Sequence, residues 1–449
     1  MATYKSPDVY IEEISVFPPS VAEVETAVPA FIGYTEKAQL VTAGDLEFQP
    51  TRISSYKHFE QFFGNPDPEN ITVTLKAGER PAVDPPDPAH LLAYSVKMFF
   101  ENGGGKCYIV SVGNHQKAVD FVDLDGGLAA LAKEDEPTLI VIPDAVRLAA
   151  AKYGNLVKNV LGQCAELKDR FGIFDIPGAD EELDATEIET ARLQFGMNDL
   201  KYGAAYYPFL KTAMNHSVKP DWSNVRVVEN GAEKPLGDFE GTVAFNEIKT
   251  ELQNHYVVLP PSGAVAGIYA KVDTTRGVWK APANMSLNAV IGPAFKIDRA
   301  AQDDLNVDVT AGKSINAIRE FAGKGTLVWG ARTLAGNDNE WRYVAVRRFF
   351  NMVEESVKKS TYWAVFESND PNTWVKVRGM IENYLTQKWR EGALAGATTK
   401  DAFFVRCGLG TTMNQQDILE GRMNVEIGMA VVRPAEFIFL RFSHKLQVS

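Results

Sequence analysis

Two glycine-rich stretches are the first places in this chain where residue type and spacing could serve chemistry, namely phosphate binding. In FFENGGGKCYIV the glycines follow a predicted helix and precede a predicted strand. A phosphate cradle needs the opposite order, with backbone amides at a helix N-terminus facing the anion, so these glycines indicate a helix stop. In TAGKS, Gly312-Lys313-Ser314 matches the end of a phosphate-binding loop, but Val307 stands where the leading glycine is required. We interpret this match as chance.

Histidine, cysteine and carboxylate patterns offer no recognisable reactive site. The six histidines lack HxxxH or HExxH spacing, none of the three cysteines lies in a CxxC pair, and no GxSxG elbow occurs. Carboxylates are abundant without forming a defined pair, which is typical of solvated faces. The sequence therefore predicts no catalytic residue, no cofactor and no metal site, although ligands brought together only by folding stay open.

Four arginines lie among aromatic residues in one segment of the last third: Arg319, Arg332, Arg347 and Arg348. One interpretation makes them anion clamps. We favour the other, in which they pair with carboxylates such as Glu340, Glu354 and Glu355 or with carboxylates of another copy.

The composition limits the class of protein. At 449 residues the chain exceeds one comfortable hydrophobic core, which predicts two or three domains. A formal net charge of -12 argues against a nucleic-acid or anionic-membrane partner. No uncharged stretch has transmembrane length and the N-terminus lacks a basic segment before an apolar one, so we expect folding in the cytoplasm and no membrane insertion.

Apolar strands alternate with helices through most of the chain. Strands are predicted in AFIGYT, KCYIVSV, PTLIVIPDA, FGIFDIP and GAAYYPFL, with helices between them. Such continuous apolar strands predict a largely parallel α/β sheet covered on both faces. Small residues at Gly263, Ala264, Ala266 and Gly267 of a later helix would let another backbone approach closely.

Both ends of the chain are predicted to form strands, and each such strand needs the edge of a sheet to pair with. SPDVYIEEISVFPP alternates apolar and polar residues before Pro18-Pro19, and RPAEFIFLRFSHKLQVS does so after Pro434. We predict that these arms pair with neighbouring copies and that the prolines mark their joints. The predicted contact residues are Val9, Tyr10, Ile11 and Ile14 in the N-terminal arm, and Phe437, Ile438, Phe439, Leu440 and Phe442 in the C-terminal arm.

Several motifs in this order resemble the tail sheath proteins of contractile phage-like machines, close to those of contractile injection systems and R-type pyocins. The motifs are YKSPDVYIEE, AFIGYT, FFENGGGKCYIV, RFGIFDIP, YGAAYYPFL, PPSGAVAGIYAKVDTTRGVWKAPAN, INAIREF, VWGARTL, FVRCG and RPAEFIFLRF.

The resemblance implies a non-enzymatic subunit of a helical sleeve, stacked in rings of six around an inner tube and contracting to drive that tube through a target envelope. It implies neighbouring subunits, a tube protein, and baseplate and terminator proteins as partners, within a phage tail-like particle assembled in the bacterial cytoplasm. On a tube-facing helix, Lys388 and Arg390 are the predicted contacts with an acidic tube.

The expected fold is α/β, mixed α+β overall, with an α/β sheath domain and a C-terminal α+β domain. Its predicted divisions are an arm over residues 1–25, the α/β domain over 26–325 with a hairpin excursion near 215–250, a tube-facing domain over 326–432, and an arm over 433–449. The alternatives left open are a ligand-binding or enzymatic α/β protein, since such sheets bind ligands at strand ends, and a capsid or tube subunit.

Overall fold

The computed structural model describes residues 20–76, 78–308 and 310–439. Its strands in chain order are β1 Pro29–Thr35, β2 Thr51–Ile53, β3 Ile71–Leu75, β4 Ala82–Asp84, β5 Cys107–Asn114, β6 Leu139–Val141, β7 Phe171–Asp175, β8 Gly203–Tyr207, β9 Leu210–Asn215, β10 Val225–Glu229, β11 Ala232–Pro235, β12 Tyr256–Leu259, β13 Met285–Ser286, β14 Val290–Pro293, β15 Ile315–Phe321, β16 Gly325–Val328, β17 Phe403–Arg406 and β18 Glu426–Met429.

Helices follow most of the strands, as the alternating pattern predicts. They are α1 Tyr56–Phe63, α2 Leu92–Glu101, α3 Phe121–Leu131, α4 Ala150–Leu167, α5 Ala185–Gln194, α6 Val243–Asn254, α7 Ser262–Arg276, α8 Arg299–Asn306, α9 Val344–Ser360, α10 Pro371–Arg390, α11 Thr399–Ala402 and α12 Gln415–Leu419. The glycines after α2 end that helix, because the Gly104 N–H donates back to the Phe99 carbonyl at 2.9 Å.

A nine-stranded sheet forms the centre of the fold, in the order β13-β16-β15-β8-β7-β6-β1-β5-β2. The six strands from β15 to β5 in this order run parallel to one another. The remaining strands, β2, β16 and β13, join antiparallel at the two ends. The prediction of a largely parallel α/β sheet is confirmed.

The central strands are buried on both faces, which explains their unbroken apolar runs. In β1, Phe31 belongs to the core that includes α2 and α7, while the adjacent Ile32 belongs to the core that includes α3 and α4. Successive side chains of a strand point to opposite faces, so each strand contributes to two cores at once.

The close backbone approach predicted for α7 occurs against α2. A Cβ at Gly263 would lie 2.4 Å from the Ser95 carbonyl oxygen, and one at Gly267 would lie 2.6 Å from the Phe99 carbonyl oxygen. Any larger residue at these two positions would push the helices apart.

A separate four-stranded sheet, in the order β11-β10-β3-β4, carries its own apolar cluster. The β10–β11 hairpin falls within the predicted excursion, but β10 also pairs in parallel with β3, some 150 residues earlier in the chain, from Val225 opposite Ile71 onward. Local turn signals could not indicate that long-range pairing.

The described chain divides into two compact units. One contains residues 25–352 with 433–439, and the other contains residues 20–24 with 353–432. The chain passes between the two units within α9, whereas the sequence predicted a domain boundary near residue 326; that boundary stays a prediction. Residues 20–24 thus group with a part of the chain that comes far later in sequence, and residues 433–439 group with a part that ends well before them.

Candidate assembly surfaces

The sheet β17–β18 consists of two strands, so within the described part of the chain each strand pairs along one edge only. Its register places Phe403 opposite Met429 and Arg406 opposite Glu426. Within residues 20–76, 78–308 and 310–439, no third strand joins this sheet. A free edge offers a row of backbone donors and acceptors that can pair with a strand of another chain.

A glycine makes room for an aromatic ring across this sheet. Gly428 stands opposite Phe404, and a Cβ at Gly428 would lie 2.2 Å from the Phe404 ring. The Arg406 guanidinium lies over the same ring at 4.5 Å from its centroid, and the Phe404 side chain is still 41% exposed. The ring thus covers the strand pair while leaving apolar surface available.

Helix α10 and the following loops support the sheet, since an isolated strand pair would be marginally stable. Trp374 of α10 packs in a cluster with Cys407 and Met413. The indole Nε1 of Trp374 donates to the Asn369 side chain at 2.7 Å, and the Asn369 amide donates to the Arg422 carbonyl at 3.0 Å. These bonds hold the loops beside the sheet in one arrangement.

The first described residues run along α9. The backbone N–H of Ala22 donates to Ser360 Oγ and that of Val24 to Ser356 Oγ, both at 3.0 Å. Two residues of an extended chain span about 6.6 Å and four residues of a helix rise about 6 Å, so the two spacings match. The serines thus hold a segment that would otherwise leave backbone donors unpaired.

The Lys388 ammonium, predicted to face a tube, is engaged by carboxylates of its own chain. Its side chain is 5% exposed and pairs with Glu23 and with Glu391, the latter at 2.7 Å. Burial opposes its charge, but the hydrogen bonds that its ammonium donates to Glu23 and Glu391 prevail and raise the pKa of Lys388. Arg390 is exposed on the same helix. The assignment of Lys388 and Arg390 as tube contacts stays a prediction. Of these two residues, Arg390 is the one at the surface.

The last described residues join the sheet unit through Glu436. Both carboxylate oxygens of Glu436 accept from Arg332, Oε1 from Nε at 2.8 Å and Oε2 from Nη2 at 2.6 Å. The next three side chains, those of Phe437, Ile438 and Phe439, are 62%, 79% and 87% exposed. Three consecutive exposed apolar side chains need a partner surface to leave water.

The remaining predicted arm residues lie outside the described part of the chain. They are Val9, Tyr10, Ile11, Ile14, Pro18, Pro19, Leu440 and Phe442. Pro434 is among the described residues. It is half-buried and lies between β18 and Glu436 in the chain. The roles assigned to these residues stay predictions.

The loop that resembles the end of a phosphate site already holds an anion of its own chain. The Asp308 carboxylate accepts from the backbone N–H groups of Thr310 at 2.9 Å, Ala311 at 3.1 Å and Lys313 at 3.1 Å. Burial lowers the pKa of Lys313, whose ammonium donates to the Arg192 carbonyl at 2.8 Å. The nest of amides that could bind phosphate is thus occupied by a side chain.

Two of the scattered histidines meet at one carboxylate. His90 Nδ1 lies 2.8 Å from an Asp67 oxygen, and the His115 ring stacks on His90 with 5.0 Å between centroids. Burial lowers the pKa of His115 to about 4, whereas burial of His90 is outweighed by its bond to Asp67, which raises its pKa. Among the described residues, no group of three or more histidine, cysteine or carboxylate side chains is placed to hold a metal ion.

The arginines of the last third pair within the chain, with partners that the sequence did not indicate. Arg348 donates to Asp273 with its Nη1 at 3.0 Å, and its Nη2 donates to the Thr26 carbonyl at 2.9 Å. Arg319 donates to Gln302 at 2.5 Å. Sequence reasoning also missed Ser356, Ser360, Glu23 and Glu436, and no local pattern marks them, because each partner is remote in the chain.

Comparison with known proteins identifies the family. The model of the phage tail sheath protein central domain matches residues 119–334, and that of the phage tail sheath C-terminal domain matches residues 336–445. The sheath complex of an extracellular contractile injection system, PVC, in its contracted state shares 33% identity with the chain over 99% of both chains, with a TM-score of 0.69. The chain belongs to the phage tail sheath family.

Two further relatives of the family illustrate its range. A chain of the six-fold symmetrised baseplate of the anti-feeding prophage is 31% identical over 99% of this chain and 100% of that one, with a TM-score of 0.68. The tail sheath protein of Vibrio phage KVP40 is 27% identical over 150 residues, which are 33% of this chain and 21% of that protein. The chain thus aligns with about a fifth of that longer relative. No helix among the described residues is long and apolar enough to cross a membrane.

Proposed function

We propose that the chain is the structural subunit of a contractile tail sheath. In this proposal, subunits polymerise as stacked rings of six around an inner tube, and the sleeve shortens to drive the tube through a target envelope. The observation that carries the proposal is the match over 99% of both chains to a sheath in its contracted state. The six-fold symmetry of the matched baseplate supports the ring number.

Exchange of the arms between subunits is the proposed means of assembly. The open edges of β17–β18 receive arm strands from neighbours, which completes a small shared sheet. Each ladder hydrogen bond contributes about 0.5–1.5 kcal/mol net, while ordering each arm residue costs about 1–2 kcal/mol, so the backbone terms roughly cancel.

Apolar side chains of the arms then decide the affinity. Phe437, Ile438 and Phe439 are largely exposed in the single chain, and full burial of such a side chain contributes about 1.5–3 kcal/mol. Because one subunit gives an arm and another receives it, the contact is head to tail and builds an open array in place of a closed dimer.

Shortening of the sleeve draws on a metastable lattice, with no nucleotide consumed. The only phosphate-like loop of the described residues is filled by Asp308, which supports this part of the proposal. ATP hydrolysis coupled to shortening of purified sleeves would contradict it.

The remaining partners are an inner tube protein, a baseplate and a terminator, in a phage tail-like particle assembled in the bacterial cytoplasm. The exposed Arg390 of α10 is the proposed tube contact, since a cation at the surface complements an acidic tube. The matched structures are a sheath and a baseplate of such particles, which supports membership of a phage tail-like particle.

Electron microscopy of the purified full chain tests the proposal, with sleeves as the expected product. Removing residues 1–14 should leave a folded monomer that forms no sleeves. Serine at Val9, Ile11 and Ile14 should act in the same way, while serine at the neighbouring Glu12 and Glu13 serves as the matched control. Intact sleeves from the truncated chain would refute arm exchange.

A further inference from the structure

Glu436, at the root of the C-terminal arm, is held by an arginine that is itself built into the central sheet unit. The Arg332 side chain is 4% exposed and that of Glu436 is 23% exposed. Their two parallel hydrogen bonds, at 2.8 and 2.6 Å, form the bidentate arrangement that fixes both distance and direction. Ion pairs at the surface contribute little unless they have geometry of this kind.

Two neighbours complete the contact around the carboxylate. Tyr343 Oη donates to Glu436 Oε2 at 3.3 Å, and the Asn306 amide lies 3.4 Å from Oε1. The remaining guanidinium nitrogen, Nη1 of Arg332, donates to the Asn306 carbonyl at 3.1 Å. With these partners the buried guanidinium is satisfied only while Glu436 is in place.

The backbone of Arg332 is joined to the sheet through one buried amide. Asn316 of β15 accepts from the Arg332 N–H and donates to the Arg332 carbonyl, both at 2.8 Å. The same amide donates to the Ala205 carbonyl of β8 at 3.1 Å, and Asn316 is 1% exposed. A continuous path of hydrogen bonds thus runs from Glu436 to the interior strands of the nine-stranded sheet.

We propose that Arg332 and Glu436 clamp the root of the C-terminal arm to the central sheet of the same subunit, so that the chain up to Glu436 stays in place when the arm docks. This inference rests on the proposed arm exchange. Pro434 precedes the clamp, so the joint of the arm lies after Glu436 and not at the proline. A pull by a neighbouring subunit on Phe437 or Ile438 is transmitted through the clamp to β15 and β8.

The clamp acts by limiting how much of the chain must be ordered when the arm docks. If one residue of the root is released, docking must order that residue as well, at an additional cost in conformational entropy. This cost corresponds to a roughly tenfold weaker assembly equilibrium constant. Arg332 and Glu436 are positioning residues in this sense, because their proposed effect on assembly is exerted through the arm that docks.

The experiment compares Glu436→Gln and Arg332→Met with wild type. For the mobility measurement each carries a spin label at Ile438→Cys, a site whose side chain is 79% exposed, and the three native cysteines are buried. Assembly is measured on the same proteins with the native Ile438 and no label, because Ile438 is itself a predicted arm contact. The matched control is Arg226→Met, which breaks the exposed 3.7 Å pair with Glu233. If Arg332→Met fails to fold, Glu436→Gln, at the more exposed partner, still decides.

Label mobility in the monomer and the critical concentration for sleeve assembly are the two measurements. We expect both clamp variants to mobilise the label and to raise the critical concentration by about tenfold, with no change in the control. An unchanged label would overturn the clamp, and a mobilised label with unchanged assembly would overturn its role in positioning the arm. If wild type forms no sleeves at all, the proposed function fails, while the label measurement still decides whether the clamp exists.

Discussion

Replacing Asp175 with asparagine should remove much of the pH dependence of stability in the central sheet unit. Asp175 ends β7, is 4% exposed, and meets the first turn of α7. Its carboxylate oxygens accept from Ser262, Oδ1 from the backbone N–H at 2.8 Å and Oδ2 from the hydroxyl at 2.5 Å. Burial raises the pKa of Asp175 to about 7, although the bonds from Ser262 oppose that rise.

The sign of the effect follows from the two pKa values. The folded-state pKa, about 7, lies above the ordinary aspartate pKa of 3.8, so the folded protein holds the proton more tightly than the unfolded chain does. This contribution to stability is fully present below about pH 4 and is lost as the pH rises through 7. Between pH 5 and pH 8 the loss amounts to about 3 kcal/mol.

Asparagine keeps the shape and the acceptor oxygen for the Ser262 N–H, and its amide can donate to the Ser262 hydroxyl. The assay is urea denaturation of wild type and Asp175→Asn at pH 5 and pH 8, with the exposed Asp238→Asn as control for the loss of one charge. From pH 5 to pH 8 the free energy of unfolding of wild type should fall by about 3 kcal/mol relative to that of Asp175→Asn. The same difference at both pH values would refute a buried, protonated Asp175.

Three further predictions concern the assembly surfaces. Gly428→Ala should lower the free energy of unfolding in urea by about 1–3 kcal/mol, because its Cβ would lie 2.2 Å from the Phe404 ring; unchanged stability would mean that the ring moves aside freely. Ser356→Ala should cost about 1 kcal/mol in the same assay and Ser360→Ala less, since the bond at Ser360 is exposed; equal costs would contradict that order. Arg390→Glu should loosen tube attachment while sheath contacts persist, and tube that still co-sediments fully with the sleeve would reject the assignment.

The central sheet could be predicted from the sequence because its signals are local. The apolar runs of β5 and β7 are bounded by helix-forming segments, and the run of β1 is equally continuous. Strands buried on both faces need no longer-range information to be recognised. The small residues of α7 likewise indicated a close helix contact, and the Gly263 contact with α2 confirms it.

The assembly surfaces could not be predicted in the same way because their partners are far apart in the chain. Arg332 and Glu436 are 104 residues apart, and Ser356 lies 332 residues from Val24. An arginine near several glutamates offers many possible pairs, and only the folded chain selects one. Lys388 is predicted as a tube contact, yet its side chain is buried against two carboxylates of its own chain, which no local pattern indicates.

A cryo-electron microscopy map of sleeves assembled from the full-length chain tests the central claim most directly. The account predicts that each β17–β18 sheet gains strands from the arms of other subunits, and that Phe437, Ile438 and Phe439 are buried against a neighbour. Sleeves in which both arms pair only with their own subunit, or preparations that contain compact particles and no sleeves, would contradict it.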